Sequence, residues 1–151
     1  MRLAIVAVGR QRAGPLKDLE RYYAERITFP IVLREVEEKR KLPAPELKAR
    51  EAALLLEGVP AGATVVALDG RGKTLSSAEF AKRLETWRQA GADLAFLIGG
   101  ADGLHERVLG EASLVLSLGA MTWPHLLVRG MLLEQIYRAQ QILAGHPYHR
   151  A

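Results

Sequence analysis

Three glycine-bearing stretches carry most of the chemical information in this chain: Leu68-Asp69-Gly70-Arg71-Gly72, Ile98-Gly99-Gly100-Ala101-Asp102-Gly103 and Leu118-Gly119-Ala120-Met121-Thr122-Trp123-Pro124-His125. Each follows an apolar run. In an open α/β sheet, ligands bind just beyond the carboxyl ends of the strands, where glycine lets the backbone come close to them. Three such turns point to one shared pocket, although any one of them taken alone is equally well read as a turn that needs positive φ. The chain closes on His146-Pro147-Tyr148-His149-Arg150, a concentration of imidazole, phenol and guanidinium that suits docking over a pocket and meeting an anionic substrate. Two histidines three residues apart invite a metal reading, but Pro147 breaks any helix that would align them and no third ligand is evident, so no metal site is expected. Gly72-Lys73-Thr74 invites a nucleotide-phosphate reading and, with it, a nucleotide hydrolase. The full spacing would need glycine at Ala67, which lies inside a strand, so that reading is set aside.

Charged positions form a second set. Arg10 and Arg12 lie in one loop and Lys39, Arg40 and Lys41 in another; such runs are either a hydrated surface or a contact for phosphate. Arg129 and Arg138, nine residues apart on the final helix, are expected on roughly one face, while Glu134 reads as a solvated polar position.

These residues must be held by a chain that alternates strand and helix from end to end. Strands are expected at Arg2–Val8, Ile31–Val36, Thr64–Leu68, Leu94–Ile98 and Leu114–Leu118. Helices are expected from Pro15 to about Arg26, Glu46 to Glu57, after the capping box Ser76-x-x-Glu79 until Gly91, at about His105–Glu111, and at about Leu126–Leu143. Continuous apolar strands call for a mainly parallel sheet covered by helices on both faces, an α/β fold. The last helix is apolar around most of its circumference, which predicts burial on two sides and favours a self-complementary dimer interface.

The 151 residues fit a single domain, with 49% apolar and 25% charged residues, as expected of an ordinary globular protein rather than a disordered one. No apolar run approaches the roughly 20 residues of a membrane span. Arg10 and Arg12 interrupt the apolar start before a signal peptide could form, so a cytoplasmic location is expected. With no cysteine, disulfides and thiolate chemistry are excluded, and a net charge of +4 fits a phosphate-rich partner.

Taken in order, Val6-Ala7-Val8-Gly9, Leu68-Asp69, Leu97-Ile98-Gly99-Gly100-x-x-Gly103-Leu104, Met121-Thr122-x-Pro124-His125-x-Leu127-Val128-Arg129, Glu134-Gln135-x-Tyr137-Arg138-Ala139 and His146-Pro147-Tyr148-His149 closely resemble the RlmH family. These are the pseudouridine N3-methyltransferases of large-subunit ribosomal RNA in the SPOUT superfamily. The resemblance covers the whole chain. It implies a C-terminal trefoil knot, a homodimer, S-adenosylmethionine (SAM) as methyl donor without a metal, and the assembled ribosome as partner. By position it assigns Leu68, Gly99, Gly100, Leu118, Gly119, Ala120, Met121, Thr122 and Trp123 to the donor. Tyr148, His149 and Arg150 are assigned to the reacting base, with His149 expected to accept the N3 proton. Arg129, Arg138, Arg10, Lys39, Arg40 and Lys41 are expected to bind RNA, the two helix arginines alternatively supporting the tail. A ribosome-binding dimer without catalysis is the alternative reading. The pattern departs from the family at Ala101, where proline is common, at Gly119, where serine is common, and at Trp123, where a smaller apolar residue is usual.

Overall fold

The structure, a computed structural model, describes residues 1–150. Five strands and five helices alternate: β1 (Leu3–Val8), α1 (Pro15–Ala24), β2 (Ile31–Val36), α2 (Ala44–Glu57), β3 (Thr64–Thr74), α3 (Ser77–Gln89), β4 (Leu94–Ile98), α4 (Glu106–Glu111), β5 (Leu114–Ser117) and α5 (His125–Leu143). The sheet is parallel throughout, in the order β2-β1-β4-β3-β5. It is the α/β architecture expected from the continuous apolar strands.

Strand residues alternate between two cores. Ile5, Phe96, Val66 and Leu68 face α3 and α5, meeting Phe80, Leu84, Leu132 and Ile136. Val6, Leu97, Val65 and Ala67 face α2 and α4, meeting Ala52, Leu55 and Val108. Both faces of β1 and β4 are covered, so every residue of these two strands is buried, and a large apolar side chain placed there contributes about 1.5–3 kcal/mol. The edge strand β2 is largely exposed, including Val32 and Leu33, and ends in Arg34, Glu35 and Val36. At the start of α3, Ser76 and Glu79 form the expected capping box, at 3.0 and 2.8 Å.

Two expectations need correction. The stretch after Leu68 is not a loop that ends the strand. Instead, β3 runs on to Thr74 around a bulge, and Leu116 of β5 pairs with both Leu68 and Lys73. Gly72 makes this possible, because a Cβ there would run into the Val115 backbone. The second correction is Arg129. Nine steps of 100° bring a helix half a turn out of phase, so Arg129 and Arg138 lie on opposite faces rather than one. Arg129 is fully buried and therefore does not reach RNA. Its guanidinium donates to Glu35 Oε2 at 2.6 Å, to the Gly9 carbonyl at 2.9 Å and to the Val8 carbonyl at 3.3 Å, with Glu20 at 3.9 Å. Gln11 completes the cluster, its backbone N–H reaching Glu35 at 2.6 Å and its side-chain amide reaching the Leu126 carbonyl at 2.8 Å.

The two carboxylates respond in opposite directions. Burial pushes Glu20 above the ordinary carboxylate value, more than Gln11 and Arg129 pull it down. Burial also pushes on Glu35, but its hydrogen bonds from Arg129 and the Gln11 amide more than offset this and hold it below that value.

Arg129→Met leaves both carboxylates facing an apolar side chain, and should cost about 3–5 kcal/mol, read as a lower midpoint in chemical denaturation. Gly72→Ala should cost about 1–3 kcal/mol by the same measurement, because backbone rather than a mobile side chain blocks the added methyl group.

Candidate functional site

At the carboxyl ends of β4, β3 and β5 the chain encloses a cavity of about 250 Å³. Leu68, Gly99, Gly100, Leu118, Gly119, Ala120, Met121, Thr122 and Trp123 all line it. The turn after β4 is tight: a Cβ on Gly99 would lie 2.8 Å from the Gly103 carbonyl oxygen. Gly103 and Gly119 both adopt positive φ, at 79° and 114°, which favours glycine over other residues there. The turn after β5 is closed by Trp123, whose indole N–H donates to the Leu118 carbonyl at 3.3 Å, and Ser117 Oγ bonds the Gly119 backbone. The walls are therefore apolar side chains interleaved with main-chain polar groups.

Few charges reach this cavity. The Asp69 carboxylate is bonded by Arg71, which holds it below its ordinary value; Arg71 also reaches the Leu104 carbonyl and Glu106, tying the β3 bulge to α4. His125 also lines the cavity. Burial holds its imidazole below the ordinary histidine value, and the nearby Arg129 adds to the effect. A position in the first turn of α5 disfavours a cation as well. Sequence reasoning gives His125 no role, although its place in Thr122-Trp123-Pro124-His125 is a signal that could have found it. Beneath the turn after β4, the buried Glu51 carboxylate would touch a Cβ on Gly100 at 3.1 Å, a contact that helical periodicity does not reveal.

The tail residues do not line this cavity within one chain. Tyr148 and His149 lie against α5, where Tyr148 Oη donates to Glu134 at 3.2 Å and His149 Nδ1 stands 3.1 Å from Arg138. The cavity touches His125 and Val128, and Glu134 lies roughly 9 Å further along the helix axis than Val128. Burial pushes the Tyr148 phenol above its ordinary value, with hydrogen bonding to Tyr23 and the Glu134 charge adding to it. Arg150 is exposed. A second, larger cavity of about 540 Å³ adjoins both regions. It shares Leu116, Leu118 and Gly119 with the first and is bounded by Tyr23, Ser77, Met131, Glu134 and Gln135.

Arg138 is held by Glu134 at 2.6 Å and stacks over the Tyr148 ring, so it supports the tail directly. Arg10, Lys39, Arg40 and Lys41 are exposed, Arg40 being paired with Glu38. Because Val8 pairs with Val36, their two loops leave the same edge of the sheet as the cavity, on its β1–β2 side.

The family profile described as "Predicted SPOUT methyltransferase" matches residues 1–149. Among curated sequences, the chain is 61% identical to "Ribosomal RNA large subunit methyltransferase H" of Rhodospirillum centenum over the full length of both. It is 59% identical to the protein of that name in Paramagnetospirillum magneticum, over 99% of each chain. Of solved structures, a probable methylase family protein from Haemophilus influenzae superposes with a TM-score of 0.57 at 10% identity, covering 99% of this chain and 70% of that one. The structure described as "Structural insights into the 2-OH methylation of C/U34 on tRNA" superposes with a TM-score of 0.53 at 23% identity, covering 96% and 98%. These last two show a shared fold. With a profile match from end to end and relatives more than half identical along their whole length, this chain belongs to the SPOUT methyltransferase family.

Proposed function

We propose that this chain transfers a methyl group from SAM to large-subunit ribosomal RNA, at N3 of a pseudouridine on the assembled ribosome, and that it works in the cytoplasm as a homodimer with a C-terminal trefoil knot. The names of its full-length relatives support the ribosomal RNA reading. The observation that carries the donor assignment is the cavity itself, with all nine assigned residues on its walls and glycine where a side chain would collide.

The walls fit the proposed donor. Leu68, Leu118 and Val128 supply apolar surface and the turns supply backbone donors and acceptors, the mixture that binds a nucleoside with few charged groups. When bound, SAM supplies an electrophilic methyl group on a sulfonium. The chain's own task is to hold the two reactants in line, since alignment alone contributes several kcal/mol to such a transfer. Tyr148, His149 and Arg150 orient the base, and the exposed Arg10, Lys39, Arg40 and Lys41 hold RNA phosphates.

Separation of tail and cavity within one chain supports the dimer. Leu127 and Met131 are only half-buried on the outward face of α5, so a second copy packed there covers apolar surface. In this reading, that copy also brings its tail to the first copy's cavity.

Incubating the protein with tritiated SAM and ribosomes from a strain lacking the activity should label one pseudouridine of large-subunit RNA. Unlabelled RNA, together with no calorimetric heat on titration with SAM, would instead favour a ribosome-binding protein of the same fold. Gly99→Ala should weaken SAM binding at least about tenfold in the same calorimetry, an effect of about 1.4 kcal/mol, because the turn must open to admit the methyl group.

A further inference from the structure

Glu134 is where the hydrogen bonds of the tail converge. Its Oε1 accepts from Arg138 Nε at 2.9 Å and Nη2 at 2.6 Å, and from the Tyr148 hydroxyl at 3.2 Å. Its Oε2 accepts from the Gln135 amide at 3.1 Å, and Gln135 Oε1 in turn accepts from Ser77 Oγ at 2.7 Å. Arg138, fixed in this way, lays its guanidinium over the Tyr148 ring and points Nη1 at His149 Nδ1, 3.1 Å away. Tyr137 closes the arrangement from the other side, edge-on to Tyr148 with centroids 4.8 Å apart. One carboxylate thus holds Tyr148 directly and His149 through a single guanidinium.

That geometry decides the proton on His149. A guanidinium has only donors, so Nδ1 must present its lone pair to Arg138, and a neutral imidazole has one donor nitrogen and one acceptor. With Nδ1 used as acceptor, Nε2 carries the hydrogen and is the ring's donor. A proton leaving the methyl-accepting nitrogen has no lone pair to occupy on such a ring. A carbonyl oxygen of a uracil-type base, or a phosphate oxygen, does have a lone pair with which to accept its hydrogen.

We propose that Glu134 is the positioning residue of the tail, which through Arg138 holds His149 as an Nε2–H donor to a carbonyl or phosphate oxygen of the RNA, and that His149 is not the proton acceptor. The inference rests on the reading that the tail meets the methyl-accepting base. It replaces the expectation that His149 takes the N3 proton, and it turns Glu134 from a solvated position into the anchor of the site.

The test compares wild type with Glu134→Gln and Glu134→Ala. In wild type, nitrogen NMR of labelled histidine should show His149 with a protonated Nε2 and an accepting Nδ1. Both variants should shift it toward the mixed tautomers of a free imidazole. SAM affinity by calorimetry should be unchanged, because Glu134 does not line the donor cavity, while kcat for ribosome methylation should fall about 10- to 100-fold in Glu134→Ala and less in Glu134→Gln. A wild-type His149 protonated on Nδ1, or full kcat in both variants, overturns the proposal. Should wild type itself methylate no ribosomal RNA, the proposed function is what fails, and the NMR comparison still decides whether Glu134 sets the histidine tautomer.

Discussion

A buried cation holds together parts of this protein that are far apart in sequence. Arg129 of α5 meets Glu20 of α1, Glu35 of β2 and the carbonyls of Val8 and Gly9 at the end of β1, with none of its surface exposed. Desolvating a guanidinium is expensive, and it is tolerated here because two carboxylates and two carbonyls surround it. The compensation is incomplete, since Arg129 Nε and Glu20 Oε2 have no hydrogen-bond partner among the described residues. Such a cluster specifies an arrangement more than it adds stability: it ties α5 to the end of β1 in the register that puts His125 and Val128 at the cavity.

Around this anchor the carboxyl edge of the sheet divides its work. The ends of β4, β3 and β5 build the small cavity from backbone turns, while the ends of β1 and β2 carry exposed lysine and arginine. The division follows from strand order. Because β4 lies between β1 and β3, the cavity and the basic loops are neighbours in space although 28 residues or more separate Lys41 from Asp69 in sequence. Local rigidity comes from inexpensive devices, among them the Trp123 indole bond across its own turn and the Arg71 bridge to α4.

Much of this is legible in the amino-acid order, and the rest is hidden for definite physical reasons. Strand positions come within a residue or two where both faces are buried, because an uninterrupted apolar run such as Leu94–Ile98, too short for a helix of its own, is stable only as a strand covered on both sides. The nine cavity residues assigned to the donor are marked by glycine turns following strands, together with the family resemblance. The β3 bulge escapes sequence reasoning because Asp69-Gly70-Arg71-Gly72 has the composition of a turn, and only pairing with β5 reveals that the strand resumes. The burial of Arg129 escapes it because its partners, Glu20 and Glu35, lie about a hundred residues away, beyond the reach of any local pattern. Glu134 is hidden for a related reason, since its partner Tyr148 belongs to a tail whose course the periodicity of α5 does not encode.

The Arg129 cluster also bears on biosynthesis. Gly9 and Arg129 are 120 residues apart, so a nascent chain emerging at about 5–20 residues per second exposes the end of its first strand for several seconds before the matching guanidinium is made. During that interval Glu20 and Glu35 lack the guanidinium that pairs with them in the fold. Completion of the native core is thereby deferred until translation is nearly finished.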